Sequence, residues 1–193
     1  IRLIRETQTS LIHEDRMVYG VANTETISEN LISDRYYKDE FNSRGILKEK
    51  EILNLSNSLI KEYTIKCDGP DAPVKTLSGG NAQKVIAARE FSSNPLLLIA
   101  SHPTRGIDVG ATELIRRKIV ELRDNQNTGV LLFSADLTEI LTVSDSIIVM
   151  YDGEIVAYFP DASLINEEIL GEYMLGVKRQ TPEEIGGVIF DHG

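Results

Sequence analysis

Residues 77–81 read LSGGN and stand directly before a segment with helical periodicity. A helix N-terminus carries unpaired backbone N–H groups and the positive end of the helix dipole, so it can bind anions. Gly79 and Gly80 let a ligand approach the backbone closely, and Ser78 adds a hydroxyl donor. The tripeptide Ser78-Gly79-Gly80 is also typical of an ordinary helix cap and turn. It therefore indicates a phosphate site only if neighbouring segments support one.

A second segment with chemical potential is LLLIASHPTRGID, residues 96–108. Its apolar run predicts a strand, and Ser101 and His102 follow at the end of that strand. His102 could act as a base, although a strand-end histidine with local hydrogen bonds explains it equally simply. The run His13-Glu14-Asp15 does not predict a metal site, because adjacent residues do not converge on one ion without help from elsewhere.

The pattern of the whole chain predicts an α/β fold that positions these segments. Apolar strands alternate with amphipathic helices, which is typical of a parallel sheet covered on both faces. A small helical insert is expected over 26–63, and Asp152-Gly153 predicts a tight turn into an antiparallel edge hairpin. The predicted strands are 10–14, 96–100, 129–134 and 146–151, and the later helices are 78–92, 111–124, 136–144 and 166–176. Residues 181–193 are expected to form a loosely held tail.

Composition narrows the class of protein. The chain has 193 residues with 20 basic and 30 acidic side chains, a net charge of −10, and no cluster of Lys and Arg that would track phosphates. Nucleic acid is therefore not an expected partner. The single cysteine, Cys67, excludes an internal disulfide. No apolar run is long enough to span a membrane, so any membrane role should be peripheral. Because the chain does not begin with Met, we expect a fragment of a longer protein.

Taken together, the motifs resemble those of the nucleotide-binding domains of ABC transporters. LSGGN is similar to the family's signature motif, PTRGID (103–108) to the segment ending in the D-loop, and FSADL (133–137) to the strand end with the switch residue. HEDRMVYG and TISENL match the Q-loop region, and SDSIIVMYDGEIV (144–156) matches the closing strand and hairpin. The closest resemblance is to the second domain of the tandem ATPases of simple-sugar and nucleoside importers.

The resemblance implies a P-loop NTPase-like ABC ATPase domain with a parallel sheet core and a helical subdomain. The phosphate-binding loop GxxxxGK[ST] does not occur in the chain, and we expect truncation to have removed it. The implied division is 1–25 for the end of the core sheet and the Q-loop, 26–76 for the helical subdomain, 77–160 for the signature helix and RecA-like core, 161–180 for the C-terminal helix, and 181–193 for the tail.

Three positions depart from the family pattern. Ser101 and His102 stand where the family usually places the Mg²⁺-binding Asp and the water-polarising Glu, and Ala135 stands where it places the switch His. A neutral hydroxyl is a weak Mg²⁺ ligand compared with a carboxylate. We therefore expect no intact catalytic set and no metal site in this chain.

The signature motif is intact, which the resemblance explains by an asymmetric pair. In ABC pairs each ATP lies between the phosphate loop of one domain and the signature of the other. Ser78, Gly79, Gly80 and Asn81 are then expected to complete the partner's ATP site in trans. Asp108 would reach across the same seam, although a turn-stabilising role is the simpler alternative. ATP and Mg²⁺ belong to the assembled transporter.

The implied partners are a second nucleotide-binding domain, transmembrane permease subunits and, indirectly, a solute-binding protein, at the cytoplasmic face of the membrane. Glu14, Asp15 and Arg16, with Glu14 where many members have Gln, are the expected coupling residues towards the permease. Two alternatives stay open at this stage. One is a non-hydrolytic scaffold of ABC fold, and the other is a non-transport ABC module acting on DNA or ribosomes.

Overall fold

A computed structural model of the protein describes residues 2–190, with side chains from residue 3 to residue 186. The helices are α1 (Arg2–Glu6), α2 (Ile27–Ile32), α3 (Glu49–Glu62), α4 (Gly79–Phe91), α5 (Val109–Gln126), α6 (Leu137–Val143), α7 (Glu167–Met174) and α8 (Pro182–Phe190). The strands are β1 (Thr9–Ile12), β2 (Asn42–Ser43), β3 (Ile46–Leu47), β4 (Leu97–Ser101), β5 (Gly129–Phe133), β6 (Ile147–Tyr151) and β7 (Glu154–Phe159). A π-helical turn spans Arg16–Gly20. Within these residues no helix has the length and apolar character needed to cross a bilayer.

The chain forms two compact units that divide between Phe133 and Ser134. The first unit contains the parallel sheet, in the strand order β1-β4-β5, which confirms the predicted α/β core. Ile12 pairs with Ala100, and Ala100 pairs with Leu132. One continuous core joins this sheet to α2, α3, α4 and α5. The strand ends that carry the candidate site are therefore held by buried apolar packing.

The helices of the first unit pack on one face of the sheet. Ile12, Leu98 and Ala100 point to that face and are completely buried. Leu131 and Phe133 alternate to the opposite face and are 48% and 47% exposed. The prediction that the sheet is covered on both faces is therefore wrong for β5. Side chains alternate along a strand, so the helices that bury one set leave the other uncovered.

The helical insert is interrupted, which corrects the prediction of a helical pattern over 26–63. The short hairpin of β2 and β3 lies between α2 and α3. Arg44 and Gly45 at its tip have φ values of 52° and 88°, and Asn42 Oδ1 accepts a hydrogen bond of 2.8 Å from Gly45 N–H. Two successive positive φ values suit a tight hairpin turn. The letters NSRG carried this signal, and the helical periodicity after residue 49 masked it.

The second unit is built around a two-stranded hairpin. β6 and β7 pair antiparallel, and the turn at Asp152 and Gly153 has φ values of 51° and 79°, as predicted for a tight turn. β6 was predicted to extend the parallel sheet, but in the described residues it pairs only with β7. A separate apolar cluster joins the hairpin to α6 and α7, and it buries Ile147 and Val149 of β6.

The chain after residue 180 also differs from the prediction of a loose tail. Thr181 Oγ1 accepts from Glu184 N–H at 3.2 Å, and the Glu184 carboxylate accepts from Thr181 N–H at 2.6 Å. With Pro182 as first helical residue, this reciprocal capping box begins α8. Residues 191–193 of the predicted tail lie outside the described residues.

Candidate anion site at the start of α4

The anion-binding features predicted at the start of α4 come from Ser78 and the two residues after it. Ser78 is the N-cap, and its Oγ accepts from Asn81 N–H at 3.4 Å and from Asn81 Nδ2 at 2.9 Å. Because both bonds end on the oxygen, the hydroxyl proton is still available to a ligand. The N–H groups of Gly79 and Gly80 precede the first helical bond, from Ala82 N–H to Ser78 O at 2.9 Å. Ser78 and Gly79 are exposed. Gly80 is buried, so the site presents two donors to an anion, the Ser78 hydroxyl and the Gly79 N–H.

Asn81 organises this site from within. Its Oδ1 accepts from the backbone N–H of Lys66 at 2.9 Å, while its Nδ2 donates to Ser78. The amide therefore has a fixed orientation, and it holds the Ser78 hydroxyl at the helix end. Deeper in α4, Gln83 is buried and donates to the carbonyl of Pro103 at 2.7 Å, which ties the helix to the turn after β4.

Gly80 is required for close packing between the starts of α4 and α5. A Cβ on Gly80 would overlap Oδ2 of Asp108 and lie 3.6 Å from the Cβ of Ala111. Asp108 is the N-cap of α5 and accepts from Ala111 N–H at 3.0 Å. That bond keeps the pKa of the Asp108 carboxyl below its usual value. The structure therefore gives Asp108 the turn-stabilising role, beside the signature glycines, and its reach across a domain seam stays a prediction.

The loop at residues 14–16 converges on the same region. Asp15 caps the π-helical turn, accepting from Met17 N–H at 3.2 Å and Val18 N–H at 3.1 Å. Glu14 forms an ion pair with Arg105. Arg16 donates to the carbonyls of Arg105 at 2.7 Å and Gly106 at 3.2 Å. Sequence reasoning missed Arg105, because its partners are about ninety positions away in the chain.

Ser101 lies at the end of β4 and lines a cleft of about 660 Å³ together with the loop at residues 14–16. His102 follows with φ of 46°, its N–H bonded to Phe133 O at 2.8 Å and its carbonyl bonded to Arg105 N–H at 3.1 Å. These backbone bonds match the local explanation for a strand-end histidine. Ala135 lies in the second unit, before the Asp136 cap of α6, and its methyl group can neither bind nor transfer a proton.

The residues of the cleft do not fit Mg²⁺. Ser101 offers only a neutral hydroxyl, whereas Mg²⁺ favours carboxylates and water in near-octahedral geometry. Glu14 and Asp15 also line the cleft, but the first is paired with Arg105 and the second caps a turn. In the part of the chain that the structure describes, no three His, Cys, Asp or Glu side chains come together as a metal set. The start of α4, in contrast, offers two exposed hydrogen-bond donors at a helix N-terminus, the type of position at which phosphate groups bind.

Solved structures with this architecture are ATP-binding cassettes. The dimeric post-hydrolysis state of the cassette MJ0796 with ADP and Pi superimposes with a TM-score of 0.67, at 22% identity, over 80% of this chain and 63% of that one. The dimeric MJ0796 structure described as a bacterial ABC transporter cassette gives the same TM-score. These likenesses show that the chain has the ABC ATPase fold.

Sequence relatives are import ATP-binding proteins. The guanosine import protein NupO of Bacillus subtilis is 39% identical over 96% of this chain, and the nucleoside import protein NupA of Lactococcus lactis is 39% identical over 91%. The glucose import protein TsgD13 of Haloferax volcanii is 41% identical over 80%. The chain spans only 35%, 34% and 28% of these three proteins. No family model matches it. By fold and relatives, the chain belongs to the ABC ATPases.

Proposed function

We propose that the chain is part of the second nucleotide-binding domain of a tandem ATPase that drives import of nucleosides or simple sugars. Its signature residues complete the ATP site of a partner domain, and its own cleft does not hydrolyse ATP. The observation that carries this proposal is the contrast between the start of α4 and the end of β4, which both belong to the first unit. The exposed start of α4 presents the free proton of the Ser78 hydroxyl and the N–H of Gly79, whereas Ser101 and His102 provide no carboxylate for Mg²⁺ or water.

The relatives support the transport part of the proposal, because NupO and NupA are named for guanosine and nucleoside import and TsgD13 for glucose import. By analogy, the partners would be a second nucleotide-binding domain and membrane permease subunits, with a solute-binding protein acting through the permease. The working site would be at the cytoplasmic face of the membrane. The partner domain would supply the phosphate loop and the Mg²⁺ ligands, and this chain would supply Ser78, Gly79, Gly80 and Asn81.

The surface after the loop at residues 14–16 supports coupling to a permease. Met17, Val18 and Tyr19 are exposed by 45%, 64% and 69% and form an apolar patch. Tyr19 also borders a cleft of about 580 Å³ that α2 and the segment after it help to form. An apolar patch beside a groove fits a protein partner, and the neighbouring charges of Glu14, Asp15 and Arg16 would set its orientation.

The test is ATP turnover by the complete reconstituted transporter, comparing wild type with Gly79→Asp. The introduced carboxylate would occupy the place of the phosphate, so we expect turnover to fall about 10²-fold, the usual effect of losing a donor to a developing charge. Gly79→Ala adds bulk without charge at a position that needs no positive φ. Because its Cβ would lie 3.1 Å from Arg16 Nη2, we expect a loss of turnover that is smaller than that of Gly79→Asp.

The matched control is Gly171→Asp in α7, where an added Cβ meets no atom within 4 Å. Wild-type turnover is expected for this variant. If Gly79→Asp also leaves turnover near the wild-type level, the signature does not complete a working site. The chain would then be a scaffold of ABC fold between ATPase and permease.

A further inference from the structure

We propose that Arg16 is a positioning residue that holds the turn at Arg105 and Gly106 against the signature glycine Gly79. A movement of the loop at residues 14–16 would then alter ATP turnover at the partner's site. This inference rests on the proposed function, because it concerns the same trans site. It adds a residue that connects the permease-facing loop to the signature.

Arg16 contacts two segments that are distant from it in sequence, the turn at Arg105 and Gly106 and the start of α4. Its Nη1 and Nη2 donate to the carbonyls of Arg105 and Gly106, and Nη2 lies 3.1 Å from the position that a Cβ would take on Gly79. Gly106 has φ of 65°, so its carbonyl direction depends on a conformation that glycine adopts easily. One guanidinium is therefore bonded to this turn and lies against the start of α4.

The geometry requires arginine rather than a positive charge alone. A guanidinium is planar and can bond two carbonyls at once, whereas a lysine ammonium is a single point that cannot span both acceptors with the same geometry. Arg16 Nε is enclosed and has no hydrogen-bond partner among the described residues. Burying Nε without a hydrogen bond costs free energy, and the bonds of the two terminal nitrogens to the turn offset this cost.

A second contact, between the side chains of Glu14 and Arg105, also joins the loop at residues 14–16 to the turn. The side chain of Arg105 returns to Glu14, while the backbone carbonyl of Arg105 receives Arg16. The Glu14 and Arg105 side chains are 50% and 67% exposed, so their ion pair is weak and water can replace it. Arg16 is only partly exposed, and we expect it to carry most of the coupling.

The loop is placed to pass on a displacement. Residues 14–16 lead directly into the exposed patch of Met17, Val18 and Tyr19, which is the surface proposed to meet the permease. Movement of that patch would pull on Arg16 and, through its two carbonyl bonds, on the turn that precedes Asp108. The signature and the α5 cap would then shift relative to each other at Gly80, where an added Cβ would overlap Oδ2 of Asp108.

The test uses the complete reconstituted transporter with Arg16→Ala and Arg16→Lys, and Arg117→Ala as the matched control. Arg117 is 67% exposed on α5 and outside the site, so its variant should behave as wild type. For both Arg16 variants we expect kcat to fall about tenfold with the KM for ATP within twofold, because the partner's phosphate loop still binds the nucleotide.

A second measurement does not depend on activity. Hydrogen exchange should accelerate at the amides of residues 105–108 in both Arg16 variants and remain unchanged in α3. If Arg16→Ala does not fold, Arg16→Lys carries the test, because its aliphatic stem is retained. Wild-type kcat and exchange for a folded Arg16 variant would overturn the inference, even if Gly79→Asp abolishes turnover. Wild-type turnover by Gly79→Asp would instead overturn the proposed function.

Discussion

Glu90 is the centre of a buried charge network that joins α4 to the N-terminal segments of the described chain. Its side chain is completely buried and accepts from two nitrogens of Arg5, from Arg89 Nε at 2.8 Å and from Leu11 N–H at 3.1 Å. Arg89 in turn donates to the carbonyl of Gly20 at 2.9 Å. The carboxylate therefore stabilises the contact of the signature helix with α1, β1 and the π-helical turn.

We predict that Glu90→Gln destabilises the chain by about 3 kcal/mol at pH 7. Removing one partner of a buried ion pair usually costs about 3–5 kcal/mol, because the remaining charge stays buried without compensation. The lower end applies here, because the side chain of Arg5 is 19% exposed and can regain some hydration. Glutamine keeps the shape but replaces one accepting oxygen with an NH2 donor, so the effect combines the lost charge with the hydrogen bonds that this oxygen accepts.

The same network predicts a pH dependence. Burial alone would raise the pKa of Glu90, but the hydrogen bonds and charges of Arg5 and Arg89 outweigh it and hold the pKa below its usual value. A carboxyl whose pKa is lowered by folding contributes stability above its unfolded pKa, and this contribution is lost as the pH falls through the folded value. The difference between wild type and Glu90→Gln should thus be constant from pH 7 to about pH 5 and shrink in more acidic solution.

Urea unfolding at a series of pH values measures this difference directly. Glu113→Gln is the control, since Glu113 is exposed on α5, and we expect it to change the free energy of unfolding by less than about 0.5 kcal/mol. A loss below about 1 kcal/mol for Glu90→Gln would refute the role of the buried charge. A difference that stays constant to pH 3 would refute the lowered pKa of Glu90.

Two further predictions concern local hydrogen bonds. Asn30→Ala should lower the free energy of unfolding in urea by about 2 kcal/mol, because the buried Asn30 side chain bonds Ala22 N–H, Ala22 O and Thr26 O. The control Asn57→Ala, at an exposed position, should have little effect, and equal effects of the two variants would contradict the prediction. Thr181→Ala should reduce the free energy of local opening of α8 by about 1 kcal/mol by removing its N-cap, and unchanged amide exchange at residues 184–186 would contradict it.

The sequence predicts local features of this protein better than its long-range contacts. Ser78 caps α4, and the Asp152 turn joins β6 to β7, as their residue types predict, because caps and turns depend on neighbouring backbone groups. The hairpin at residues 42–47 was missed because two short strands have too few residues to show a period. β6 was wrongly assigned to the parallel sheet, since an apolar run does not reveal which strand pairs with it.

The candidate site shows the same distinction. The signature residues were predicted from a contiguous motif, and their role towards a phosphate stays a prediction. The contacts that unite the site were not predictable. Arg16 contacts Arg105, 89 positions later in the chain, and neither local sequence predicts this contact. The need for glycine at position 80 is likewise visible only once Asp108 is seen beside it.

The cleft at Ser101 and His102 and the start of α4 differ in how strongly their side chains are bound to the rest of the fold. This difference explains how one chain can lack catalytic carboxylates and still present an ordered signature. Ser101 points into an open cleft, and the observed hydrogen bonds of His102 are made by its backbone, so the side chains at these positions can change with little effect on packing. The signature helix, in contrast, has several contacts with the rest of the fold. Asn81 accepts a hydrogen bond from Lys66, Gln83 donates one to Pro103, and Gly80 packs closely against the Asp108 cap of α5. Loss of hydrolytic groups from the cleft would therefore leave the donor geometry at α4 intact. That separation makes the proposed role physically reasonable, in which the signature serves a partner's ATP while the domain's own cleft does not hydrolyse ATP.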